Sequence, residues 1–195
     1  MVRSRAEPRL RQTLCSSKVC AVTRGSGQEC PGSLFFFDNT MLTLFADGSS
    51  TGGNPGKAGC GYALMRGGQL LEGLGQPLGT ATNNQAELTA VLLGLTACLG
   101  KLQPQEEILI VGDSVYVLDG LRSADVYGTD PGRSNNKLWA SIYDVMLELY
   151  SGGHRLKTYW VKGHDGNPGN TLCDELAFSS AVTQRRHRPA KQRKT

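Results

Sequence analysis

"EEILIVGDSVYVLDGL", residues 106–121, opens with an unbroken apolar run, 108–111, and puts Asp113 at its exit. "MLTLFADGSSTGGNPG", residues 41–56, repeats the pattern: an apolar run, then Asp47, then Gly and Ser. A short apolar run bounded by turn residues reads as a buried strand. If the two strands are parallel neighbours, Asp47 and Asp113 end side by side at one edge of a sheet.

The elements between and around them fit that picture. Residues 41–47 are a strand, and 58–78 form a hairpin turning at Gly67-Gly68. Residues 82–102, "TNNQAELTAVLLGLTACLGKL", form a helix opened by a Thr82/Gln85 capping box, with Leu88, Val91, Leu92, Leu95 and Leu99 as its apolar stripe. A strand at 107–112, a short helix at 114–121, a helix at 135–153, a strand at 155–163 and a helix at 171–182 complete the chain. Three strands first make an antiparallel meander, and crossovers through helices then add parallel strands.

Two further acids belong with the first pair. Glu87 lies one turn into the first long helix, and its neighbours Ala90, Val91 and Gly94 are small or apolar, so its face packs on the sheet. Asp174 opens the last helix on a face shared with Ala177 and Phe178. Four carboxylates without bases raise one another's pKa, and a divalent cation removes that conflict. Oxygen-only ligands favour Mg²⁺ or Mn²⁺ over zinc. Taken singly, each acid has a plainer explanation, such as capping a turn or a helix end; the four together point to a metal site. His164, in "VKGHDG", sits on a Gly-flanked loop, where an imidazole that titrates near neutrality can move protons.

Composition bounds the classes. The 195 residues suffice for one domain with two short tails, and no apolar stretch approaches the roughly 20 residues that span a bilayer. The net charge of +4 is uneven: 1–40 carry +3, 41–177 carry −5, and 178–195 carry +6. Basic ends on an acidic body either grip a polyanion or serve as solvated extensions. Residues 1–40 are Arg-rich and lack a secretory apolar core, which suits an organelle transit peptide or a plain disordered extension. An intracellular location follows: mitochondrion, nucleus or cytoplasm. Cys60, Cys98 and Cys173 lie in apolar surroundings and read as core residues; Cys15, Cys20 and Cys30 carry no role, and no CxxC pair suggests zinc.

The stretches "FADGSS", "GGNPG", "TNNQAEL", "VGDSVYV", "NNKLW", "WVKGHDGNPGN" and "CDELA", in that order, resemble a type 1 ribonuclease H domain over about residues 41–182. The resemblance implies an α/β ribonuclease H-like fold: a five-stranded mixed sheet, three antiparallel strands then two parallel, with helices on both faces. It implies an endonuclease that hydrolyses the RNA strand of RNA/DNA hybrids with two Mg²⁺ ions (Mn²⁺ substituting), leaving 5′-phosphate and 3′-hydroxyl ends. Asp47, Glu87, Asp113 and Asp174 match the metal-holding acids, and His164 matches a residue that aids proton transfer or product departure. Asn54, Asn83 and Asn84 match positions that touch the hybrid's minor groove, where 2′-hydroxyls are displayed. Thr82 and Asn135 match positions that hold a DNA-strand phosphate. The implied partner is the hybrid, with no membrane, and the expected state is a monomer.

Three departures accompany the match. The turn "DGSSTGGNPG" is one residue longer than the common pattern. Thr80 stands where many relatives carry a phosphate-pocket Arg. Residues 119–135 lack a Trp- and Lys-rich protrusion, since Arg122 and Arg133 are offset by Asp119, Asp125 and Asp130. The expected division is therefore a basic extension at 1–40, a catalytic domain at 41–182 and a basic tail at 183–195 that compensates for the missing protrusion. Other readings are a non-catalytic nucleic-acid-binding member of the fold, which the four acids and His164 oppose, and a fragment of a retroelement.

Overall fold

The computed structural model describes residues 41–123 and 134–189. The basic extension at 1–40, with Cys15, Cys20 and Cys30, lies outside the described residues, as do Asp125, Asp130, Arg133, Lys191, Arg193 and Lys194. The order of elements is β1 (Leu42–Thr51), β2 (Gly56–Arg66), β3 (Gln69–Ala81), α1 (Asn83–Leu99), β4 (Glu107–Gly112), α2 (Val115–Arg122), α3 (Asn136–Ser151), β5 (Arg155–Trp160) and α4 (Pro168–Thr183).

The strands form one sheet in the order β3-β2-β1-β4-β5. β1–β2 and β2–β3 pair antiparallel; β1–β4 and β4–β5 pair in parallel. This is the five-stranded mixed sheet expected from the sequence, and it follows from pattern. In the central strands the side chains alternate between faces. Leu42, Leu44, Leu64, Ile108 and Ile110 point to a core filled by α1, α2 and α3, whose buried members include Leu88, Leu95, Trp139 and Ile142. Phe45, Ala63, Leu109 and Val111 point the other way, against Cys173 of α4. Burial on both faces explains the unbroken apolar runs. Cys60, Cys98 and Cys173 are all buried, as expected.

The boundaries differ at two instructive places. β1 runs four residues beyond Asp47, because its antiparallel pairing with β2 continues to Thr51–Lys57 after its parallel pairing with β4 has stopped at Phe45–Val111. Asp47 therefore lies inside a strand, at the fork where one neighbour ends, and not at a strand tip. The last helix starts at Pro168, not Thr171. Asn167 caps it by accepting from the N–H groups of Gly169 and Asn170, and Pro at the first position needs no partner for its nitrogen. Asp174 is thus two turns inside the helix and does not open it.

At the opposite pole, the buried Glu106 takes a two-pronged ion pair from Arg66, with Nη2 to Oε2 at 2.7 Å and Nε to Oε1 at 3.1 Å, tying the end of β2 to the start of β4. After α4, Gln184 adopts a left-handed conformation (φ 51°) and turns the chain back along the free edge of β3. Gly75 N–H donates to His187 O at 2.7 Å and His187 N–H donates to Gly75 O at 2.9 Å. Pro189 then lies against Gly73. The first part of the basic tail is thus a strap on the sheet edge, running from the level of Asp47 toward the β2–β3 hairpin.

Candidate active site

The sheet brings carboxylates from four elements toward the fork between β1 and β4. Asp47 sits on β1 opposite Gly61 of β2. Asp113 follows the last residue of β4 and precedes Ser114, whose hydroxyl caps α2 by accepting from Val117 N–H. Glu87 arrives from α1, whose first turn presses on Gly48. A Cβ at Gly48 would strike the backbone of Ala86 and Glu87, so only glycine lets the helix come this close. Asp174 arrives from α4 on the other face, where a Cβ at Gly61 would strike the carbonyl of Cys173. Glycines on adjacent strands thus let a helix on each face bring an acid to the same edge.

Electrostatics binds the set together. Asp47 is pushed up from 3.8 to about 8, first by burial, then by Asp113, with smaller contributions from Asp174 and Glu87. The Gly48 N–H, donating to Asp47 Oδ1 at 2.7 Å, opposes the rise. Burial also raises Glu87, as does Asp113, while Ser114 and Asn83 act against it. Asn83 Nδ2 donates to Glu87 Oε1 at 2.7 Å, but Glu87 Oε2 is buried with no hydrogen-bond partner among the described residues. A buried, unpartnered carboxylate oxygen is costly, and a cation would relieve it. Among the described residues no three such side chains close into a ligand cluster. The carboxylates are neighbours that raise the pKa of Asp47, and their all-oxygen chemistry fits Mg²⁺ or Mn²⁺.

His164 reaches the same edge. Its backbone is left-handed (φ 55°), and its Nδ1 lies 3.2 Å from Asp174 Oδ2. Asn54, exposed on the β1–β2 turn, accepts from Asn83 N–H through its Oδ1 at 2.9 Å, so the longer turn still reaches α1. Thr82 makes the capping box expected of it, and Asn84, the second residue of the helix, is exposed. Asn135 is left-handed (φ 61°) and donates through Nδ2 to the Tyr116 hydroxyl at 3.2 Å. The structure therefore gathers Asp47, Glu87, Asp113, Asp174 and His164 at one edge, with Asn54 and Asn83 linked by hydrogen bonds to Glu87 and Thr82 capping the same helix. Asn135 belongs to a separate group with Tyr116 and Trp139, whose Nε1 also donates to the Tyr116 hydroxyl. Phe178 does not share the inward face of Asp174: it is 54% exposed, whereas Ala177 is fully buried.

Sequence reading missed Ser114, Gly48 and Trp160. Ser114 was signalled by its position between a strand end and an apolar helix, the usual place for a cap. Trp160 donates through Nε1 to the Asp113 carbonyl at 2.9 Å. No signal in the sequence marked it: the strand was expected over 155–163, and only the structure ends it at Trp160.

The RNase H family model matches residues 39–182. Curated ribonucleases H from Campylobacter curvus and Dichelobacter nodosus are 36% and 38% identical over 149 and 145 residues. The alignments cover 72% and 70% of this chain and 93% and 89% of theirs. Among solved structures, RNase H1 from the halophilic archaeon Halobacterium salinarum is 28% identical, with a TM-score of 0.56 over 74% of this chain and 99% of that one. LC11-RNase H1, solved in complex with an RNA/DNA hybrid, shares the fold at 22% identity, with a TM-score of 0.60 over 73% of this chain and 98% of that one.

Proposed function

The chain belongs to the ribonuclease H family, and on that premise we propose that it hydrolyses the RNA strand of RNA/DNA hybrids by a two-metal-ion mechanism, leaving 5′-phosphate and 3′-hydroxyl ends. The observation that carries the reading is the burial of Asp47 beside three other carboxylates, which push its pKa up to about 8, together with the unpartnered Glu87 Oε2.

Asp47, Glu87, Asp113 and Asp174 would hold the ions. The chemistry supplied by bound Mg²⁺ or Mn²⁺ is activation of a water and stabilisation of the departing 3′-oxygen. The protein's part is to carry the four carboxylates to one edge on two packed helices, on β1 and just beyond the end of β4. We assign to His164, mostly exposed with its Nδ1 3.2 Å from Asp174 Oδ2, the aid to proton transfer or product departure that the family resemblance implies. Asn54, Asn83 and Asn84 would read the minor groove, Asn83 while also restraining Glu87. Thr82 and Asn135 would meet the DNA-strand phosphate. The division proposed is a basic extension at 1–40, a catalytic domain at 41–182 and a basic tail at 183–195, the chain acting as a monomer. No helix among the described residues is long and apolar enough to cross a membrane.

A labelled RNA/DNA hybrid incubated with the purified chain tests the reading. Cleavage of RNA alone, dependent on Mg²⁺ or Mn²⁺ and nearly abolished by Asp113→Asn in a folded protein, is expected. Undiminished turnover in EDTA would sink the two-metal mechanism.

A further inference from the structure

The segment that follows β5 holds Asp113 from two sides. Val161 N–H donates to Gly112 O at 3.0 Å, extending the β4–β5 pairing to the last residue before Asp113. Trp160 then donates through Nε1 to the Asp113 carbonyl at 2.9 Å. Three residues on, Gly163 seats the carboxylate: a Cβ there would lie 2.5 Å from Asp113 Oδ2. The next residue, His164, touches Asp174.

Burial does not explain Trp160. It is 49% exposed, whereas the other tryptophan, Trp139, is 1% exposed in the core. With about half of the indole in water, packing alone leaves the ring's orientation open, and the hydrogen bond to the Asp113 carbonyl fixes it. Asp113 needs that support. It lies beyond the end of β4, where the ladder no longer holds its backbone, and it carries one of the charges that crowd Asp47.

We propose that Trp160 is a positioning residue for the metal site, its indole N–H fixing the Asp113 carbonyl so that the Asp113 carboxylate stays seated on Gly163 and aimed at the fork between β1 and β4. The proposal rests on the metal-dependent reading of the site. It concerns metal affinity and not the chemical step, because Trp160 touches the backbone of a ligand and not the reacting atoms.

The test is Mn²⁺ binding to the full chain, followed by calorimetry or by the electron paramagnetic resonance of free Mn²⁺. Wild type and Asp113→Asn come first: Mn²⁺ binding to the wild type that Asp113→Asn removes establishes the site, and its absence counts against the metal reading itself. Trp160→Phe keeps an aromatic ring and deletes the donor. The expected result is Mn²⁺ affinity weakened about 3- to 10-fold, the worth of one hydrogen bond. The metal concentration for half-maximal hybrid cleavage should rise by the same factor, with a smaller loss of kcat at saturating metal. Gly163→Ala, which unseats the carboxylate without touching the ring, should weaken Mn²⁺ in the same direction. Wild-type Mn²⁺ affinity in folded Trp160→Phe, whatever its thermal stability and whatever Gly163→Ala does, would overturn the proposal.

Discussion

The burial of Asp47, with its crowding by other acids, makes a thermodynamic prediction. Folding raises its pKa from 3.8 to about 8. The folded chain therefore binds this proton more tightly than the unfolded chain. Between about pH 4 and pH 8 the folded state carries more protons, so stability falls as pH rises, and the loss is complete above about pH 8. A difference of about 4 in pKa, at about 1.4 kcal/mol each, sets a ceiling of about 6 kcal/mol. Relaxation of the neighbouring carboxylates in the unfolded reference and entry of water reduce that to about 2–4 kcal/mol in practice. Asp47→Asn keeps an oxygen to accept the Gly48 N–H and removes the charge. In EDTA at pH 8 the variant should melt higher than wild type by about 5–12 °C, since 1 kcal/mol is worth about 2–4 °C for a chain of this size. The gap should close toward pH 5, where wild-type Asp47 is protonated in the folded state. Saturating Mg²⁺ should raise the wild-type melting temperature more than that of the variant, which has lost a ligand. Thermal melts from pH 5 to 9, with EDTA and with Mg²⁺, measure all three. A variant that melts at or below wild type at pH 8, or a gap that does not change with pH, would refute the reasoning.

Three other outcomes follow from named side chains and backbone bonds. Gly48→Ala forces a Cβ into the backbone of Ala86 and Glu87, so denaturant melts should show about 1–3 kcal/mol of destabilisation, with hybrid cleavage falling as Glu87 is pushed off the fork. His164→Ala should slow turnover about 10²–10⁴-fold without abolishing it, and a pH–rate profile identical to wild type would reduce His164 to a structural residue. Deleting 184–195 removes both backbone bonds between Gly75 and His187 and bares the β3 edge, at a cost of about 1–2 kcal/mol in a thermal melt. If the tail's bases also grip the hybrid, the deletion flattens the slope of log affinity against log salt by roughly 0.7–0.9 for each phosphate no longer neutralised; an unchanged slope leaves the tail as an edge strap alone.

What the sequence made legible is what depends on local pattern. The apolar run 108–111 matches the core strand β4, the Thr82/Gln85 box marks the start of α1, and Gly67-Gly68 turns the hairpin. The partners of Asp47 were legible for a related reason: strand order follows from short antiparallel links and long helical crossovers, so two acids just past the parallel pairing of neighbouring strands come together. What stayed hidden depends on partners distant in sequence. Whether β1 stops at Asp47 or runs to Thr51 is decided by β2, whose residues 57–61 hold it in register. The inward face of Asp174 could not be read from Ala177 and Phe178, because α4 lies flat on Gly61 and exposes Phe178 to solvent. Arg66 and Glu106 are forty residues apart, and Trp160 and Asp113 forty-seven, and neither pair carries a periodic signal. A hydrophobic stripe constrains several positions at once and leaves a pattern, whereas a single hydrogen bond constrains one donor and one acceptor and leaves none. The acids themselves were therefore easier to find than the groups that hold them, and the support of this site must be established by double-variant measurements that pair each acid with its neighbour, Asp113 with Trp160 first.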